Sequence, residues 1–209
     1  MKYLVDAFQN LFVATAEAGG DLAKTVQSTL DNVDWQGTLG RHEPTDQTDK
    51  TIVDAYLESA CARSGEAGSH SNDIANALLA VASQIDWHMS PRDPVEGPDA
   101  VLFSRNFVAT TIIGDGGILP SDKVAAGFSL QAPDIYYPPH AHFAEESYWI
   151  IGGEGDWRVD SDPWFAVRPG DTTYHAPEAR HTMQTNAYPM LAIWLWTSDL
   201  DSEVIIVRS

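Results

Sequence analysis

The sequence is short of cysteine, of positive charge and of long apolar runs. Its 209 residues include one cysteine, Cys61, so no internal disulfide can form, and a lone thiol in an Ala-rich helical stretch reads as packing. Basic residues number 12 against 30 acidic ones, a formal charge of −18. Six basic and 16 acidic residues precede Val101, and six and 14 follow, so the acidity covers the whole chain and is not a tail. Such a surface repels nucleic-acid phosphates and anionic membranes and mildly attracts cations. No apolar run approaches the ~20 residues of a membrane span. Asp6 and Gln9 interrupt the first apolar stretch and make it a poor signal peptide. The expectation is a soluble cytoplasmic protein with no nucleic-acid or membrane partner.

Apolar residues make up 44% of the chain, enough for a real core. Leu4, Phe8 and Leu11 share a helical face within residues 3–17. Leu22, Val26 and Leu30 repeat at four-residue spacing after a possible Asp21 cap. Residues 33–46, with Gly37, Gly40 and Pro44, read as a connector. A third helix, capped by Thr45 or Asp46, carries Ile52, Tyr56 and Ala60. A fourth, capped by Ser71 or Asn72, carries Ile74, Leu78, Val81, Ala82 and Ile85. These stripes mean core contact or, alternatively, a homodimer interface. Pro91, Pro94, Gly97 and Pro98 form a linker. Beyond it short β-rich runs alternate with turns: 101–111, 125–131, 147–151, 157–159, 171–176, 182–185, 191–197 and 204–207. Five of the seven tryptophans lie in this second part. The reading is a helical region over residues 1–90 packed on a β-rich unit over 91–209, a sandwich or barrel.

The most informative segment runs from Tyr136 to Tyr148. Residues two apart on a strand share a face, so His140 and His142 aim into one space, and Glu146 and Tyr148 form a second such pair. Glu145 is the alternative carboxylate. Two imidazoles and a carboxylate suit zinc, iron, manganese, nickel or cobalt. A fourth ligand has to come from elsewhere, and His181 stands after the turn Pro169-Gly170-Asp171. His175 reads as a supporting residue, and His42, His70 and His88 as exposed.

His140-x-His142-x3-Glu146-x6-Gly153, followed by Pro169-Gly170-Asp171, Pro177 and His181, resembles the two motifs of the cupin superfamily. Asp134 and Glu178 stand where that pattern carries glycine, and Thr185 where it carries asparagine. The resemblance implies a mainly β fold with α: a C-terminal cupin barrel (double-stranded β-helix, jelly roll) preceded by helices. It also implies one divalent transition metal ion per chain, held by His140, His142, Glu146 and His181. With Tyr137 five residues before His142 and Tyr148 two after Glu146, the chain resembles the cupin-type dimethylsulfoniopropionate lyases of marine bacteria. Those enzymes release dimethyl sulfide and acrylate from a small zwitterionic sulfonium compound.

On that resemblance Tyr137 is the catalytic tyrosine, Tyr148 the tyrosine next to the metal, and Trp196 a wall of the substrate pocket. Proton removal beside a carboxylate needs a Lewis acid to offset the charge that develops, and a tyrosine base needs its pKa of about 10 lowered. Aromatic faces attract a methylated cation by about 0.5–2 kcal/mol each. Trp194, Trp196 and Tyr148 could form such a cage, or Trp194 and Trp196 simply fill the interior. An iron dioxygenase, an isomerase and a non-catalytic ligand-binding cupin remain open as alternatives.

Overall fold

A computed structural model describes residues 1–40, 50–89 and 97–207 of the chain. Thr45, Asp46, Pro44, His42, Pro91, Pro94 and the expected boundary at residues 90–91 lie outside the described residues. The apolar stripes form α1 (Lys2–Ala18), α2 (Ala23–Asn32), α3 (Thr51–Cys61) and α4 (Ser69–Val81). Two of the expected caps are not used. Leu22, not Asp21, stands at the start of α2, and α4 begins two residues before Ser71, after Gly68 at φ 97°.

The run from Val101 divides into two elements, unlike the single strand expected. Its first part belongs to α5 (Pro98–Ser104), and only Phe107–Ile113 is a strand, β2. Pro98 sits in the first helical turn, where its missing N–H costs nothing and its fixed φ suits the helix. The remaining strands are β1 (His88–Met89), β3 (Ala125–Gln131), β4 (Tyr136–Ala141), β5 (Glu146–Gly152), β6 (Gly155–Val159), β7 (Phe165–Val167), β8 (Thr172–His175), β9 (His181–Thr185), β10 (Met190–Trp196) and β11 (Ile205–Ile206).

The expected closed barrel is not what these strands build. They form two open antiparallel sheets, in the orders β1-β2-β3-β10-β5-β8 and β11-β4-β9-β6-β7. Each order has two ends, so neither sheet closes on itself, although the layout is cupin-like in topology. The reason is the pairing: β10 is joined to β3 and β5, and β4 to β9 and β11, with no ladder between the two sheets.

Two cores result. One lies between the helices and the outer face of the six-stranded sheet, where Phe8 meets Phe128 at 5.1 Å and Phe12 meets Trp149 at 5.4 Å between ring centroids. Of the fourth stripe, Ile74, Leu78 and Ile85 are fully buried there within the chain itself, and Val81 and Ala82 pack against them half-buried. Cys61 is also buried in this core, which pushes its thiol pKa up to about 12 and leaves it inert. The second core lies between the sheets and contains Phe103, Phe107, Tyr137, Tyr148, Trp157 and Met183. No helix among the described residues is long and apolar enough to cross a membrane.

Candidate metal centre

Strand register brings the polar residues of the second core together. On the six-stranded sheet Glu146 pairs with Trp196 of β10 and with His175 of β8. On the five-stranded sheet His140 pairs with His181. A bulge in β4 at Pro138-Pro139 falls between Tyr137 and His140. Three residues apart, these two would otherwise face opposite ways. Instead their rings stack, with centroids 3.7 Å apart and planes at 8°.

The turn before β4 is pinned by Thr185, whose hydroxyl donates to Ala132 O at 2.6 Å and accepts from Ile135 N at 3.0 Å. Asp134 and Glu178 both take left-handed backbone, at φ 56° and 64°. The conformation that favours glycine is therefore kept where glycine is not. Glu178 is exposed, and its N–H donates to His142 O at 2.8 Å. Glu178→Gly keeps that bond and removes the Cβ penalty. It should raise stability by about 1 kcal/mol and Tm by about 2–4 °C in a thermal melt. Gly153, at φ 83°, is not exchangeable in the other direction, because a Cβ there would collide with the Pro189 carbonyl.

His142, Glu146 and His181, all buried, offer ligand atoms within 4.8 Å of one another. The hydrogen bonds settle which nitrogen each histidine presents. Nδ1 of His140 lies 3.0 Å from Pro138 O, that of His142 2.9 Å from Ala144 O, and that of His181 3.0 Å from Ala179 O. A carbonyl accepts and never donates, so each Nδ1 carries the proton and each neutral ring presents Nε2 as a lone pair. His142 Nε2 then faces Glu146 Oε2 at 3.0 Å and His181 Nε2 faces it at 3.3 Å, with no hydrogen-bond partner for the latter. Lone pairs and a carboxylate oxygen at such distances repel unless a cation lies among them. The donor set fits a divalent transition metal. His140 stands beside this group, its ring edge-on to His181 with centroids 4.0 Å apart.

The charges respond accordingly. Burial alone would raise the Glu146 carboxyl, but the imidazoles of His142, His175 and His181 hold it well below the usual carboxylate range. Burial lowers His142, yet its hydrogen bond to Glu146 and that carboxylate's charge outweigh this and raise it. Burial brings His175 down to about 4 and, with the His181 charge, holds His140 well below its ordinary value. The metal-free protein should therefore gain stability as pH rises from about 4 to 6.5, because the unfolded chain binds protons there that buried His175 and His140 refuse. His175 alone contributes ~3 kcal/mol on this count. Above pH ~6.5 the sign reverses, as His142 loses the proton that pairs it with Glu146. Thermal melts in chelator across pH 4–9 should show a maximum near pH 6.5–7. Stability rising steadily through that range would contradict the assignment.

The other sequence candidates also lie at this place. Tyr137 is buried between Phe103 (3.6 Å, stacked) and His140. Tyr148 is buried against Trp157 (5.0 Å between centroids). Burial, with the Glu146 charge, pushes both phenols upward. Trp194 and Trp196 are half-buried, 6.0 Å apart, and line a cleft of about 1040 Å³ with Tyr137, Tyr148, His140 and Glu146. Trp196 also donates from Nε1 to Glu146 Oε1 at 2.7 Å. Glu145 is not at the centre: its N–H donates to Ser198, and its side chain acts on Tyr174.

Two features escaped the sequence reading. His88 lines the cleft instead of standing exposed, whereas His70 is exposed as expected. Phe103 backs Tyr137 from α5. His175, read from the sequence as a supporting residue, touches Glu146 directly, Nδ1 to Oε2 at 3.1 Å.

The model of the dimethylsulfoniopropionate (DMSP) lyase family matches residues 22–192 of the chain. Over 133 residues the chain is 31% identical to the dimethylsulfoniopropionate lyase DddQ of Ruegeria pomeroyi, an alignment of 64% of this chain and 65% of that protein. Over 126 residues it is 30% identical to the putative dimethylsulfoniopropionate lyase DddL of Cereibacter sphaeroides, with 59% and 50% covered. The chain thus spans 65% and 50% of the lengths of these curated relatives. The crystal structure of DddQ from Ruegeria pomeroyi DSS-3 superposes with a TM-score of 0.66 at 25% identity, covering 97% of this chain and 96% of that one. A chain from the crystal structures of the DMSP lyases RdDddP and RnDddQII shares the fold, with a TM-score of 0.72 at 20% identity and 99% and 96% covered. With a family match over most of its length and a His/Glu centre between its two sheets, the chain belongs to the dimethylsulfoniopropionate lyase family.

Proposed function

We propose that this chain is a metal-dependent carbon–sulfur lyase that cleaves dimethylsulfoniopropionate into dimethyl sulfide and acrylate by β-elimination. The observation that carries the reading is the convergence of the His142, Glu146 and His181 ligand atoms, with His142 and Glu146 lining an aromatic-rich cleft. We assign His140 as the fourth ligand, since its Nδ1–H donates to Pro138 O and its Nε2 lone pair is left for an ion. The metal is one divalent ion of zinc, iron, manganese, nickel or cobalt. When bound, it would supply Lewis-acid stabilisation of the charge that develops on the substrate carboxylate.

The chain's own groups do the rest. Tyr137 is the base. It takes the proton from the carbon next to the carboxylate; that electron pair forms the new double bond, and the carbon–sulfur bond breaks. Dimethyl sulfide leaves as a neutral molecule and needs no acid. Burial keeps both phenols protonated near neutral pH, so the base role depends on a nearby cation to stabilise the phenolate. Tyr148, two residues from Glu146 on the same face, is the second candidate for the role. Trp194, Trp196 and Tyr148 face the sulfonium methyl groups. The acidic residues lining the cleft, among them Asp115, Asp199 and Glu203, favour entry of the cationic end.

Trp194→Leu should raise KM about 2- to 30-fold, the loss of one cation–π contact of 0.5–2 kcal/mol, with a smaller change in kcat. An unchanged KM would return Trp194 to a packing role. The reading as a whole is tested by incubating purified protein with the substrate under nitrogen. Dimethyl sulfide in the headspace and acrylate in solution should accumulate in equal amounts. Turnover that requires oxygen would instead favour a dioxygenase.

A further inference from the structure

The reaction just described leaves one group of the centre without a role. His175 is fully buried and stacks on His181 with ring centroids 3.8 Å apart. Its Nε2 lies 3.0 Å from Trp157 Nε1. An indole nitrogen only donates, so His175 Nε2 accepts and the ring's proton sits on Nδ1. That Nδ1–H points at Glu146 Oε2, 3.1 Å away. His175 is thereby a donor to the ligand carboxylate and not itself a ligand, because the one lone pair of its neutral ring is taken by Trp157. The other carboxylate oxygen, Oε1, accepts from Trp196 Nε1 at 2.7 Å.

Register accounts for this double hold. Glu146 is paired with His175 on one side and Trp196 on the other, so the three side chains stand abreast on the inner face of the six-stranded sheet.

We propose that His175, with its proton placed by Trp157, is the positioning residue of the metal centre: it holds Glu146 Oε2 toward His142 and His181 while Trp196 holds Oε1. The inference rests on the metal reading above. A glutamate carboxylate on three rotatable bonds loses conformational freedom when it binds an ion, and donors on both oxygens impose that loss in advance. A buried histidine that merely fills space would be replaceable by any side chain of similar volume. A positioning histidine is replaceable by one that keeps an N–H at the same place. Asparagine does so, since its Nδ2–H falls where the imidazole Nδ1–H was.

The test uses the full chain and cobalt(II), followed by its ligand-field absorption and by competition with a chelator. His175→Leu should bind cobalt(II) about 10- to 100-fold more weakly than wild type, and His175→Asn within about threefold of it. Equal affinity in His175→Leu and wild type overturns the inference, and so does equal weakening in both variants. If His175→Leu does not fold, Trp157→Phe carries the test. It leaves His175 in place but frees its proton to move to Nε2, and it should weaken cobalt(II) binding about tenfold; unchanged affinity overturns the inference. A wild-type protein that takes up no cobalt(II) removes the metal reading and this inference together. Normal uptake by wild type and both histidine variants removes this inference alone.

Discussion

Tyr137→Phe is expected to keep its metal and lose turnover by about 10²- to 10⁴-fold, the usual contribution of a general base. The phenyl ring retains both stacking contacts of Tyr137, with Phe103 at 3.6 Å and His140 at 3.7 Å. The hydroxyl makes no hydrogen bond to the described residues. Deleting it therefore removes chemistry and leaves packing intact, so Tm should move by no more than a few degrees. The measurement is kcat from headspace dimethyl sulfide, with metal content determined on the same sample. Near-normal turnover in Tyr137→Phe would transfer the base role to Tyr148, whose phenol is buried near Glu146. Loss of metal along with activity would mean that Tyr137 acts through His140, the ring it stacks on.

His142→Ala is expected to weaken metal binding by more than about 100-fold, beyond the 10- to 100-fold typical of a partner outside the ligand set. Gas release should vanish with the metal. The substitution removes one of the two Nε2 lone pairs that face Glu146 Oε2 and the histidine that shares a proton with that carboxylate in the metal-free protein. Elemental analysis after dialysis decides it. A variant that retains one ion per chain would show that His142 is not a ligand. Metal binding retained in His142→Ala but lost in His140→Ala would move the centre toward the edge-on pair His140 and His181.

The His142, Glu146 and His181 cluster was far more legible in the sequence than the sheet architecture around it. His140, His142 and Glu146 lie within seven residues of one another, so the short reach of the chain from the end of β4 to the start of β5 keeps them close whatever the rest of the fold does. His181 needed the motif resemblance, because its neighbour in space is decided by the pairing of β4 with β9. The closed barrel failed for the same reason. Closure is a property of which strands pair over long separations, and alternation along one strand carries no information about it. The run from Val101 was misread because a short apolar stretch fits a buried helix as well as a strand, and Pro98, the discriminating residue, had been assigned to a linker.

Other features were hidden in physical detail. The Pro138-Pro139 bulge reverses the facing of Tyr137, which simple alternation cannot anticipate. The left-handed turns at Asp134 and Glu178 persist without glycine because neighbouring backbone hydrogen bonds hold them: Asp134 N donates to Asn186 O and Glu178 N to His142 O, each at 2.8 Å. What could not be read at all was the direction of protons. That His175 donates to Glu146 follows only from Trp157 lying 3.0 Å from its other nitrogen, a contact between strands 18 residues apart.

The most direct test of a metal-dependent elimination is dimethyl sulfide release by one protein sample in three states: as purified, stripped with chelator, and given back one divalent ion per chain. Release should disappear on stripping and return on addition of the ion, with acrylate in step. Undiminished release from the stripped protein, or none from the fully loaded one, would contradict the account.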